Sequence, residues 1–166
     1  GVDAMGTDDE DRPDFAWPPT KAEGAASFLG AIPKLVAMCD TCFRKKDGCN
    51  NIGQCKQEAR TLVAAIIAMW NEKYKGLETT EDAATREMVG GGVCSTWAGR
   101  YEKAVRDKKL KCLKGAVVGK GRLTEHHHRW FTVIMCGSVK NKCMMSFDYG
   151  VLGKTWKVGA KIPVDL

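Results

Sequence analysis

Apolar residues recur at steps of three and four over residues 52–75: Ile52, Cys55, Ala59, Leu62, Val63, Ile66, Ile67, Trp70 and Tyr74. That period lines one face of a helix, with Glu58 and Arg60 off the stripe and Gly76 as a suitable stop. So wide a stripe predicts a central helix. Upstream, Thr20-x-x-Glu23 reads as a capping box opening a helix with Ala25, Phe28, Leu29 and Ile32 on its apolar side. Pro33 kinks or restarts it, because proline brings no N–H to the ladder; Leu35, Val36 and Met38 carry the pattern on. Residues 39–55 form a cysteine-rich connector with Gly48, Asn50 and Asn51 as turn formers. A short helix is expected at about 80–89, capped by Thr79 or Thr80. After Gly90-Gly91-Gly92, Cys94–Asp107 reads as a helix with Trp97, Ala98, Tyr101, Ala104 and Val105 on one side.

From Gly115 the texture changes to short β-like runs, 116–119, 129–136, 142–149 and 155–158, separated by glycine or Lys/Asn turns. Helices first and strands later predict an α+β fold: a helical N-terminal part followed by an antiparallel β-sheet. There is no internal repeat and no low-complexity segment. The length of 166 residues fits one domain with a real core.

Charge divides the chain. Residues 1–19 carry Asp3, Asp8, Asp9, Glu10, Asp11 and Asp14 against Arg12; with +6 on the whole and −5 on this segment, the body carries +11. The division is therefore an acidic flexible leader at 1–19 and a single domain at 20–166. The start shows no signal peptide, and Gly1 without a methionine reads as a trimmed or processed end. No unbroken apolar run reaches the roughly 18 residues of a membrane span. The bases at 44–46, 106–109 and 120–122 are scattered along the chain, lack an aromatic RNA-binding signature, and read mostly as solvated surface. Nucleic acid is accordingly not the expected partner.

The sharpest local feature is Gly90-Gly91-Gly92-Val93-Cys94-Ser95-Thr96-Trp97. A glycine turn delivers Cys94 to the first turn of a helix, where the partial positive charge stabilises a thiolate and free N–H groups can hold an oxyanion. A buried structural cysteine is the plainer reading of such a position. A thiol nucleophile needs a base and an orienting group. The three histidines are consecutive, His126, His127 and His128, and lead into a strand; a surface patch or a metal-binding triplet is the alternative. A hairpin turn centred near residue 139 pairs 136 with 142 or 143 and hence about 130 with 148. Asp148 then lies beside His128 and can hold its tautomer, unless it is only a turn residue before Gly150. His126 is the substitute base if the register slips by two. Trp97, Trp130 and Trp156 read as core or groove-wall aromatics.

Cys94 after a glycine turn, His128-Arg129-Trp130 at a strand start and Asp148 on the next strand resemble the transglutaminase-like branch of the papain-like thiol superfamily. The resemblance covers about residues 88–158 and rests on short motifs; Asp148 is followed by Tyr149-Gly150 rather than the frequent proline. It implies a papain-like core at 20–166 and a catalytic triad of Cys94, His128 and Asp148 without cofactor or metal. It also implies a protein or peptide amide substrate and acyl transfer as protease, amidase, deamidase or cross-linker. A secreted or delivered toxin or effector, met by an immunity or inhibitor protein, belongs to the same expectation, with a cytoplasmic enzyme as the other option. Trp70, Gln54 and Gln57 are the candidates for a side-chain oxyanion donor.

Seven cysteines remain besides Cys94. Cys39, Cys42, Cys49 and Cys55 suit either zinc or two disulfides stapling the connector to the long helix. Cys136 and Cys143 flank the hairpin turn and are placed to face each other, which leaves Cys112 as the odd thiol. The rival to an enzyme is a binding module, stabilised by zinc or disulfides, whose basic body takes nucleic acid or an acidic protein.

Overall fold

A computed structural model describes residues 21–76, 94–120, 128–151 and 155–160. The expected leader, Thr20, the helix at about 80–89, the glycine turn and His126 lie outside the described residues.

The first apolar stretch folds as α1 (Lys21–Leu29) and α2 (Ala31–Cys42), broken at Gly30. Pro33 stands in the first turn of α2, where its missing N–H costs nothing. By length and composition Lys21–Cys42 is apolar enough to cross a membrane. Lys21, Glu23, Lys34 and Asp40 interrupt its apolar run. Here its Phe28, Ala31, Leu35, Cys39 and Cys42 are buried in the core.

The central helix is α3 (Ile52–Lys73). Asn51 caps it, its side-chain oxygen accepting from the Gln54 N–H at 2.8 Å, while Gln54 Oε1 accepts from the Asn50 N–H at 2.8 Å. Cys55, Ala59, Leu62, Val63, Ile66 and Trp70 are fully buried along one face. Gly76 follows the helix with φ of +78°, a conformation glycine adopts without strain. Close approach governs the α1 contact: a Cβ on Gly24 would collide with the Trp70 indole. The indole N–H donates to the Lys21 carbonyl at 3.0 Å.

Helix α4 (Cys94–Arg106) leads through a turn into an antiparallel meander of β1 (Leu113–Lys120), β2 (His128–Met135), β3 (Met144–Val151) and β4 (Thr155–Ala160), in that spatial order. The β2–β3 register runs from Ile134 opposite Met144 to Phe131 opposite Phe147, which is the predicted hairpin register. A single 3₁₀ turn at Asn141–Cys143 delays β3 by two residues relative to the expected start. Strand β1 begins earlier than the pattern suggested, because Gly115 lies inside it: Phe131 fills the place where a Cβ would go.

Alternation gives the sheet two faces. Phe131, Val133, Met135, Met145 and Phe147 are buried toward the helices. The ring of Tyr101 on α4 meets Phe131 at 6.3 Å and Phe147 at 6.0 Å between centroids. Trp130, Thr132 and Ser146 are buried on the other face, where the Thr132 and Ser146 hydroxyls lie 3.2 Å apart.

Three disulfides, Cys39–Cys55, Cys42–Cys143 and Cys49–Cys112, fasten one end of this arrangement. The four clustered cysteines are all spent in these bonds and form no zinc site. Two expected pairings change. Cys143 bonds Cys42 rather than Cys136, and Cys112 bonds Cys49, so the odd thiol is the buried Cys136. The reason is register: Met144 pairs with Ile134, so Cys143 just before it does not stand opposite Cys136, which lies in the turn with φ of +52°.

Candidate functional site

Chain direction decides what can meet what. α3 rises from the disulfide end, α4 descends toward it, and β1 rises again from Leu113. The backbone of Cys94, first residue of α4, is therefore at the end of the unit opposite the disulfides. His128 opens β2 opposite Lys120, the last residue of β1, so it stands at that same far end. Asp148 follows Phe147 in β3 and pairs with Lys157 of β4. The β2–β3 register runs as far as Phe131 opposite Phe147, so position 148 lies one step beyond its last pair, on the strand next to the one that His128 opens. Cys94 and His128 therefore stand at the same end of the unit, and Asp148 lies midway along β3.

The described surroundings are aromatic. Trp97, one turn into α4, is fully buried with its ring 5.4 Å from that of Trp70. Arg100 stacks over Trp97, its guanidinium carbon 4.5 Å from the ring centroid. Phe28 meets Trp70 edge-on at 5.2 Å. Trp97 and Trp130 are thus core aromatics, one on each side of the sheet.

The three oxyanion candidates are placed elsewhere. Trp70 is fully buried and gives its N–H to Lys21. Gln54 sits at the disulfide end, where its amide donates to the Gly48 carbonyl and to Glu58, each within 3.0 Å. Gln57 is exposed on the neighbouring turn of α3.

Sequence reasoning missed Glu58, left off the apolar stripe. It is buried, and Oε1 accepts the N–H groups of Lys111, Cys112 and Leu113 at 2.8, 2.7 and 3.3 Å. Oε2 accepts from Gln54 at 3.0 Å. A buried carboxylate is tolerable because these donors replace water. Its work is structural: it fixes the turn between α4 and β1. No residue pattern along α3 signals it, since the donors are backbone groups more than fifty positions away.

The seven cysteines other than Cys94 are accounted for, six in disulfides and Cys136 as a thiol. No protein-family model matches the chain, and no curated protein or solved structure matches it.

Proposed function

We propose that the chain is a cysteine-dependent acyl-transfer enzyme with Cys94 as nucleophile, His128 as base and Asp148 as the group that orients His128. The observation that supports it is that the backbone positions of Cys94 and His128 share the end away from the disulfides, with Asp148 on the strand next to that of His128.

In this reading His128 takes the Cys94 proton and the sulfur attacks an amide carbonyl carbon. The tetrahedral adduct collapses to a thioester, and the amine leaves with the proton that His128 returns. Water or a second amine then attacks the thioester and releases Cys94. The substrate is a protein or peptide amide. Three disulfides suit an oxidising compartment, which favours an exported effector or toxin over a cytoplasmic enzyme.

The test is amide turnover on a panel of denatured proteins and glutamine-containing peptides, read as ammonia release and new amine termini. Cys94→Ala and His128→Ala abolish turnover, and Asp148→Asn lowers it by about 10²–10⁴-fold. Turnover that survives Cys94→Ala overturns the proposal.

A further inference from the structure

Bases far apart in sequence become one surface at the disulfide end. The Cys49–Cys112 bond joins the 43–49 turn to the 107–112 turn, and Cys42–Cys143 ties α2 to the hairpin turn at 136–143. The Cys136 N–H donates to the Cys112 carbonyl at 2.7 Å, closing the triangle. These three turns carry Arg44, Lys45, Lys46, Lys108, Lys109, Lys111, Lys140 and Lys142, all exposed, against only Asp47 and Asp107. The one buried carboxylate beneath them, Glu58, is occupied by backbone N–H groups.

Glycine turns make room for the lysines. Gly48 has φ of +94°, and the Lys111 stem lies over it, with Cδ 3.2 Å from where a Cβ would stand. Gly137 has φ of +70°, and Lys46 Nζ lies 2.9 Å from its absent Cβ. The lysines of one turn thus lie across the backbone of another, and the cations are held by covalently fastened turns. Like charges held close repel in the free protein, and a bound polyanion relieves that repulsion.

We infer that this end is a docking surface for a sulfated polysaccharide. Seven of the eight cations are lysines, point charges suited to sulfates spread along a chain; the planar forks that read base edges are arginines. Phe43 is only half-buried but is the sole aromatic residue of these turns, so there is no platform for stacking successive bases. Val139 is the exposed large apolar residue here, too little to wedge into a bilayer. Three disulfides suit an oxidising, extracellular compartment, and sulfated glycans are polyanions met there. The surface does not depend on Cys94 chemistry, since it lies at the opposite end of the sheet.

The experiment is titration with size-defined heparin at several salt concentrations, beside duplex DNA and phosphatidylserine vesicles at the same ionic strength. Heparin binds tightest, and its affinity falls about 100-fold between roughly 0.05 and 0.2 M NaCl, as about three to four released counterions require. Lys45→Glu/Lys108→Glu/Lys140→Glu, one change per turn, weakens it by about thirtyfold or more. Lys34→Glu/Lys73→Glu/Lys75→Glu alters net charge equally on other surfaces and weakens it by less than about threefold. Lysine acetylation footprinting of the unmutated protein gives the same answer without any variant: heparin protects Lys45, Lys108 and Lys140 but not Lys73 and Lys75. Equal loss in both variants, uniform protection, or tighter binding of DNA or vesicles overturns the inference.

Discussion

Replacing Glu58 tests how the disulfide end is built. Its carboxylate receives three main-chain N–H groups at the start of β1 and one side-chain amide from Gln54. In Glu58→Ala the Lys111 N–H can turn to water, since Lys111 is exposed, but Cys112 and Leu113 are fully buried. A buried donor without an acceptor costs about 1–3 kcal/mol, so two of them cost about 2–5 kcal/mol after partial relaxation. Glu58→Gln keeps one acceptor oxygen yet sets an NH₂ against the Gln54 NH₂. Gln54 cannot turn its amide to suit, because its own oxygen holds the Asn50 N–H. The expected loss is about 1–3 kcal/mol, smaller than for alanine. Urea unfolding with the disulfides intact measures both, and hydrogen exchange at the Cys112 amide reports the site directly. A loss under about 1 kcal/mol for Glu58→Ala, with Cys112 still protected, refutes the role given to Glu58.

Two further outcomes concern the framework. Gly24→Val drives a branched side chain into the Trp70 indole, which is hemmed by Phe28, Tyr74 and Trp97, and lowers stability by about 1–3 kcal/mol in thermal unfolding; unchanged stability contradicts that packing. Non-reducing peptide mapping returns Cys39–Cys55, Cys42–Cys143 and Cys49–Cys112, with Cys136 alkylated only after denaturation. Cys136 Sγ lies 3.9 Å from Cys49 Sγ, so mapping is done at acid pH to prevent exchange; a Cys136–Cys143 peptide contradicts the assignment.

The elements were legible where a single face is buried. The α3 stripe, the α4 face and the β2–β3 register follow from periods of 3.6 and 2, which local chemistry imposes residue by residue. The pairing of Cys42 with Cys143 and of Cys49 with Cys112 was not legible. It depends on which turns the helices bring together, over separations of 101 and 63 residues. The same holds for the basic end: three short runs that read as scattered surface along the chain become neighbours only through those bonds. Glu58 is the clearest miss, a charged residue that the stripe assigns to solvent and the fold buries against backbone donors. For the candidate triad, the start of α4 at Cys94 and the neighbouring strands that carry His128 and Asp148 were legible.

The reactivity of Cys94 tests the central proposal most directly. The native protein is labelled with iodoacetamide at about pH 6, where an ordinary thiol is almost wholly protonated, and each cysteine is followed by peptide mass spectrometry. The account predicts that Cys94 is alkylated at least about tenfold faster than a free cysteine peptide, and that His128→Ala removes most of that advantage. Labelling no faster than the free peptide, or equally fast in His128→Ala, contradicts the assignment of Cys94 and His128 as a nucleophile and its base.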